Sequence, residues 1–408
     1  MKAITFLGVR PQTALYTMNG KEYAASQFGV ALARFIPNLT LRALVTKKAL
    51  DEQYPAFERD VEDYVADVRA VPITDGKDAD ELWQLFDSVV EQIEENEEVI
   101  FDITHGFRSL PFLAFLAAAY VRVVKRAQIK GVYYANYDAG FGDPRQVPVV
   151  DLTEFVALLD WMIAADLFVR RGDSGRLAHL MRSGFNAAPE ARDQQQDAFL
   201  SNIADHMEVL SRSLRLIRPD EVMQSSAEIG KSLNEGAVKF TERARPFVPL
   251  VEQVADAYRP LALAEPGTDP IAALAIERDL VHWYLDRGYL VQATAVAREW
   301  LVTWAMLQCG AVKKQRQRFY REQMENAITG QLEKFRENPK PTVFDLSALP
   351  GRDELVSLFD TLGNVRNDLL HAGKRPKPQP GDSLESEIRE YCGKLTDFPL
   401  NQQLNPSP

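Results

Sequence analysis

Residues 1–150 alternate between short apolar runs and longer amphipathic stretches, and that alternation limits the fold more than any other feature of the chain. Lys2 to Leu7 is a short apolar run ending at Gly8, Gln27 to Phe35 has helical character, and Leu39 to Thr46 is strand-like again. An acidic helical stretch covers Asp51 to Tyr64, and Asp67 to Ile73 is predicted to be a strand. From Ala79 to Glu95, apolar residues at Leu82, Leu85, Phe86, Val89, Val90 and Ile93 mark one face of a helix. Glu98 to Ile103 reads as a buried strand, Leu110 to Val124 as a long apolar helix and Gln128 to Tyr134 as a further strand. The expected fold is α/β, a Rossmann-like and mostly parallel sheet with helices on both faces. In such a sheet ligands sit beyond the carboxyl ends of the strands, where the strand order switches.

From about Asp151 the strand signals fade. Helical patterns follow over Leu152 to Phe168, Ala198 to Ile217, Glu221 to Phe240, Phe247 to Tyr258, Pro270 to Leu285, Leu290 to Leu307 and Gln315 to Phe335, so an all-α region completes the fold class. Gly172 to Gln196 and Leu263 to Asp269 are polar or bear Gly and Pro, and are expected to be connectors. His282, Trp283 and Tyr284, with Leu285, Gly288, Tyr289, Ala293, Ala297 and Trp300, suit two packed helices joined by a short turn. His179 and His206 stand alone and receive no role.

Composition narrows the function classes. The chain has 408 residues and 46% hydrophobic content, enough for two or three domains with their own cores. Its formal net charge of -11 argues against a general basic coat for nucleic acid, so any RNA contact must be local. Cys309 and Cys392 lie far apart and outside any metal-ligand spacing, which predicts neither a disulfide framework nor a zinc site and fits a reducing cytoplasm. No run of eighteen apolar residues and no signal-peptide pattern is present, so the expectation is a cytoplasmic protein with no membrane partner.

Two clusters carry chemistry. The first is Asp102, Thr104, His105, Gly106 and Arg108, at a strand-to-helix handover. A helix amino terminus presents unpaired N–H groups and partial positive charge, and so favours a phosphate. Thr104 or Ser109 can cap or hydrogen-bond there, Gly106 permits close backbone approach, and Arg108 can add a bidentate phosphate contact. The plain alternative is that Asp102 and Thr104 only cap a turn and His105 is a satisfied structural histidine.

The second cluster is Arg366, Asn367, Asp368 and His371. Five residues on a helix separate Arg366 and His371 by about 140°, so the pair does not share a face and is expected at a helix end. Gly373 and Pro376 supply that end. A histidine in the last turn is favoured in its protonated form by the helix dipole. The alternative here is a helix-end ion pair of Asp368 or Asp360 with neighbouring Arg residues, His371 being a plain cap. Upstream, Lys313, Lys314, Arg316, Arg318, Phe319, Tyr320 and Arg321 mix basic and aromatic residues, suiting either an RNA channel or a solvated helix face.

Asp102 to Arg108 stands as D-x-T-H-G-F-R and leads into an apolar helix and then YYANYDAG. In this the chain resembles the CRISPR-associated DxTHG family, in which a CARF sensor domain is joined to a HEPN ribonuclease. The likeness extends to Tyr16, to Asn19 to Tyr23 and to the strand ending at Thr46. One departure is the turn after the first strand: relatives carry a Gly-Thr-Gly type turn, whereas here it reads Gly8, Val9, Arg10, Pro11, Gln12, Thr13. Arg10 then either replaces backbone phosphate binding with a side chain or faces solvent. Gly-x-Gly-x-x-Gly and Walker A patterns are absent, which weakens nicotinamide and nucleoside-triphosphate readings.

The resemblance implies a CARF domain over 1–155, a helical linker over 156–265 and a HEPN domain over 266–408. It implies a homodimer or higher homo-oligomer that binds cyclic oligoadenylate, tetra- before hexa-adenylate, across a two-fold axis through Gly8, Arg10, Thr104, His105, Gly106 and Arg108. The HEPN half is then similar to metal-independent endoribonucleases that cleave single-stranded RNA. Arg366, Asn367 and His371 would be catalytic, Lys374 and Arg375 would contact the RNA backbone, and neither cofactor, metal nor DNA would be required. The competing readings are a ring nuclease that degrades the activator at Thr104, His105 or Arg108, and a signalling scaffold whose R-N-D-L-L-H motif is incidental.

Overall fold

The computed structural model describes residues 1–105, 110–183, 194–236, 248–332, 340–374 and 378–400. The chain forms two compact units, Met1–Asp160 and Trp161–Pro408.

The first unit is built on an eight-stranded sheet in the order β3-β2-β8-β7-β6-β1-β4-β5. β1 (Lys2–Phe6) lies between β4 (Leu39–Val45) and β6 (Glu98–Asp102), parallel to both. β5 (Val65–Pro72) and β7 (Gln128–Ala135) continue the parallel sheet on either side. The strand order therefore reverses between β1 and β6, which makes the carboxyl ends of these two strands the switch point.

Burial explains why these strands read as near-continuous apolar runs. Along β1, Ala3 joins a core with Phe28 and Leu32 of α1 (Phe28–Phe35), and with Phe57 of α3 (Tyr54–Val61). Ile4 and Phe6 join a second core with Leu85 and Val89 of α4 (Ala79–Glu91), and with Ala117 and Val121 of α5 (Leu110–Val124). Both faces are covered, as a parallel sheet requires. α2 (Lys47–Glu52) begins on Thr46, whose hydroxyl accepts from the Ala49 amide.

Beyond β7 the sheet turns mixed. β8 (Gln146–Asp151) runs antiparallel to β7, β2 (Ala14–Met18) is parallel to β8, and β3 (Lys21–Ala25) pairs antiparallel with β2. None of these three strands was anticipated from the sequence. The β2–β3 hairpin turns on Asn19 and Gly20, with φ of 50° and 74°, the backbone twist that a two-residue hairpin loop needs.

Past β8 the described residues are helical: α6 (Thr153–Arg171), α7 (Gly175–Ser183), α8 (Gln194–Arg215), α9 (Pro219–Gly236), α10 (Val248–Tyr258), α11 (Pro270–Asp286), α12 (Leu290–Gln308), α13 (Arg318–Thr329), α14 (Arg352–Leu370) and α15 (Gly381–Gly393). The unit boundary falls within α6. One expectation is corrected: Gly172 to Gln196 is not only a connector, because α7 buries Leu177, Ala178 and Met181 there. α13 also starts later than its apolar pattern suggests, after a single 3-10 turn over Val312–Lys314.

The anticipated pairing of α11 and α12 is present, with Gly288 (φ 72°) in the turn. The two tryptophans of α12 are anchored by hydrogen bonds and ring contacts. Trp300 donates Nε1–H to the Leu274 carbonyl at 2.7 Å, Trp304 donates to the Pro399 carbonyl at 2.9 Å, and Phe398 packs edge-on against both rings. Replacing either tryptophan with alanine would cost about 3–5 kcal/mol by loss of burial and cavity formation.

Candidate functional site

At the switch point the side chains of the Asp-x-Thr-His segment each join a different element. Asp102, the last residue of β6, is fully buried. One of its carboxylate oxygens accepts from the Thr5 hydroxyl of β1 at 2.5 Å and the other from the Thr104 amide at 2.9 Å. Thr104 then accepts from the Ala135 amide at 3.0 Å, extending the contact of β6 with β7 past its last strand pair. His105 reaches the opposite way: its Nε2 accepts from the Phe28 amide at 3.1 Å, in the first turn of α1.

Gly8 lies against this histidine. A β-carbon at position 8 would stand 3.2 Å from His105 Nδ1 and 3.3 Å from its Cβ, so glycine permits the close approach of the two loops. Gln27 fixes the Gly8 backbone from the other side, accepting from its N–H at 3.1 Å and donating to its carbonyl at 2.8 Å. Tyr137 sits beyond, its ring 5.9 Å from that of His105, its hydroxyl hydrogen-bonded to the Tyr16 hydroxyl and donating to the Gln12 carbonyl at 3.4 Å.

Electrostatics follow from this packing. Because Nε2 accepts a backbone N–H, the His105 proton resides on Nδ1, and burial lowers its pKa to about 4. His105 is neutral at pH 7 and offers a donor on the Gly8 side. Burial pushes the Asp102 carboxyl up to about 6, with the Thr5 and Thr104 hydrogen bonds opposing that rise. The three motif side chains thus hold the loops in register while the β1 and β6 strand ends present Gly8, Thr104 and His105 together.

Of the remaining residues expected here, Arg10 is exposed and has no hydrogen bond or ion pair among the described residues. Gly106 and Arg108 lie outside the described residues, as does Ser109. The sequence reading overlooked Thr5, Gln27 and Tyr137, which organise the crevice. Gln27 carried a usable signal, being a polar residue directly before an apolar helix in the βαβ pattern.

In the helical unit, the second cluster occupies the carboxyl end of α14, as its spacing required. Arg366 is half-buried, Asn367 and His371 are exposed, and Asp368 between them is buried. The helix stops through two left-handed residues, Ala372 (φ 52°) and Gly373 (φ 66°), whose amides return to the Leu369 and Asp368 carbonyls at 3.1 and 3.3 Å. His371 is the residue that caps the helix, its amide bonded to the Asn367 carbonyl at 3.0 Å. Arg366 makes no hydrogen bond or ion pair among the described residues, so its guanidinium is available to an anion. Lys374 is exposed next to the cap, and Arg375 lies outside the described residues.

The basic and aromatic run from Lys313 to Arg321 is largely engaged within the chain. Arg316 pairs with Asp220, Arg318 with Glu322 and Arg321 with Glu299, while Lys314 sits 4.4 Å over the Tyr320 ring. Among the described residues no group of three or more His, Cys, Asp or Glu is arranged to hold a metal ion, and no helix is long and apolar enough to cross a membrane.

Residues 3–138 match the family described as CRISPR system endoribonuclease Csx1, CARF domain, and residues 157–261 match the second domain of CRISPR-associated protein MJ1674. A direct relative is CRISPR-associated protein MJ1674 of Methanocaldococcus jannaschii, 27% identical over 147 residues. That likeness covers 35% of this chain and 23% of the relative's length. The crevice residues from Thr5 to Tyr137 all lie within the first match, and the two matches together with this relative support a CARF-containing CRISPR-associated protein.

Proposed function

We propose that the chain is a cyclic-oligoadenylate-gated endoribonuclease, with the activator bound at the β1/β6 switch point and RNA cleaved at the carboxyl end of α14. The observation that carries the sensor half is the convergence of Gly8, Thr104 and His105 at the strand ends, inside the CARF match. The exposed Arg10 suits a phosphate, and the His105 Nδ1–H can donate to a phosphate or base acceptor. Gly106 and Arg108 complete the proposed contact set.

A second copy of the chain is the natural partner for a cyclic ligand with its own symmetry. The stripe Phe112, Leu116, Tyr120 and Val123 along α5 supports this: Phe112 is 65% and Val123 67% exposed, on the helix that follows the motif. An apolar helical stripe left in water has a use in self-association.

For the RNA site, the proposed chemistry is attack of a ribose 2′-hydroxyl on the adjacent phosphorus. The 2′-O–P bond forms and the P–O5′ bond breaks, leaving a 2′,3′-cyclic phosphate and a 5′-hydroxyl. His371 takes the 2′-hydroxyl proton or returns one to O5′, Arg366 stabilises the charge on the phosphate oxygens, and Asn367 orients the scissile group. By the resemblance to HEPN ribonucleases, the complete site would bring together this motif from two chains. Lys374 and Arg375 would hold the RNA backbone.

Ligand gating requires the cyclic oligoadenylate to bind the active arrangement more tightly than the inactive one. The decisive experiment is cleavage of a fluorophore-quencher RNA in EDTA with cyclic tri-, tetra- and hexa-adenylate, comparing the parent with His371→Ala. Activity that appears with one ring and falls at least about 100-fold in the variant supports both halves. Equal activity in the variant would sink the nuclease assignment.

A further inference from the structure

A cavity of about 680 Å³ opens within the helical unit, away from the α14 cap. It lies between the α8–α9 turn, the facing sides of α11 and α12, and the connector before α13. Leu216, Pro219, Leu274 and Val296 give it apolar walls. Its size is that of a small-molecule site.

Every charged group lining the cavity has an ion-pair or hydrogen-bond partner except one. Arg316 is held by Asp220 at 2.6 Å and Arg321 by Glu299 at 2.7 Å. The Arg218 guanidinium donates to the Leu216 and Ile217 carbonyls, and Glu221 accepts from the Ser213 hydroxyl at 2.8 Å. Glu277 of α11 lines the same cavity and makes no hydrogen bond or ion pair among the described residues. Burial, then the Asp220 carboxylate, pushes its carboxyl up to about 7; Arg321 and Arg316 oppose this, and Glu299 adds to it. An unsatisfied carboxylate in a partly desolvated site is costly, and its complement is a cation with N–H donors.

We propose that this cavity binds a small aliphatic amine or guanidine, with its cationic head on Glu277 and its methylene body along Leu216, Leu274 and Val296. Four carboxylates, those of Asp220, Glu221, Glu277 and Glu299, face three guanidiniums, so the site lacks one positive charge. A phosphate-bearing ligand is disfavoured, because Arg316 and Arg321 are already engaged and the carboxylates would repel it. The cation displaces a proton from Glu277, so binding strengthens as pH rises through about 7.

The test uses calorimetric titration of the full chain at low salt with agmatine, spermidine and, as the anionic probe, AMP. The expected result is one saturable site for agmatine or spermidine, weakened about tenfold in Glu277→Gln. In the parent, affinity should fall about tenfold from pH 8 to pH 6, since the carboxyl must be ionised to pair. Glu277→Gln keeps the side-chain volume and removes an unpaired charge from a partly desolvated site; if it nevertheless fails to fold, the pH dependence of the parent decides. No saturation up to about 10 mM cation, equal binding by the variant, a flat pH profile, or AMP binding as tightly as the cations would each overturn the proposal.

Discussion

The Phe28 amide donates to His105 Nε2 at 3.1 Å, so the first turn of α1 and the loop leaving β6 are locked by one side chain. A histidine in this role has to stay neutral. Its pKa of about 4 lies below the ordinary value of 6.5, so the folded state favours the unprotonated ring. The stability it contributes is complete above pH 6.5 and is lost as pH falls through 4. His105→Ala leaves the Phe28 N–H without its partner and is expected to destabilise the chain by about 1–3 kcal/mol at pH 7, measured by urea denaturation. A change below about 0.3 kcal/mol would mean that the lock does not form in solution.

Asp102 acts with the opposite sign. Its carboxyl rises from 3.8 to about 6 on folding, so the stability it contributes is complete below pH 3.8 and disappears as pH climbs through 6. The two groups nearly offset each other between pH 4 and 6. Removing one should expose the other: relative to the parent, Asp102→Asn gains stability with rising pH across this window, and His105→Gln loses it. The expected span is about 2–3 kcal/mol in each direction, read as the difference in unfolding free energy between variant and parent. Parallel pH profiles for the parent and both variants would rule out this coupling.

The α5 stripe gives a prediction about assembly. Phe112→Asp combined with Val123→Asp places charge on a surface proposed to face a second copy, so the sedimentation coefficient should drop to that of a monomer. RNA cleavage should fall with it, because a composite site has no complete form in one chain. Phe112 is largely exposed, which predicts little effect on the melting temperature. A variant that remains dimeric would place the interface elsewhere.

The parallel half of the sheet was legible because both-face burial writes itself into the sequence as near-continuous apolar runs, as at Ala43 to Val45 and Val99 to Phe101. The mixed edge was not. β3 exposes Lys21, Glu22 and Ala24, and its polar composition gives no apolar run to detect. Its one strong signal was local, the Asn19-Gly20 pair of the hairpin turn. At the crevice, the Asp-x-Thr-His spacing located the site, but the partners of its side chains were invisible. Thr5, Phe28 and Ala135 lie up to 97 residues from the motif members they bind, and only the strand order brings them together. α14 was missing from the periodic reading although Leu355, Phe359, Leu362 and Val365 repeat at helical spacing, and only the spacing from Arg366 to His371 pointed to a helix end there.

That helix end supplies the last prediction. Ala372 holds a left-handed backbone at φ 52°, a conformation that costs an L-residue with a β-carbon about 1 kcal/mol, while Gly373 beside it at φ 66° does so without strain. Ala372→Gly relieves the strain but adds freedom to the unfolded chain, so the expected net gain is about 0.5 kcal/mol. Gly373→Ala should cost about 1 kcal/mol for the converse reason. Since the turn sets where His371 caps α14, Ala372→Gly should leave RNA cleavage intact, whereas Gly373→Ala should lower it by more than its stability loss explains. Should Ala372→Gly instead destabilise the protein by 1 kcal/mol or more, α14 would not end in this turn, and His371 would have to be placed within a longer helix, turned away from the position that general acid–base catalysis requires.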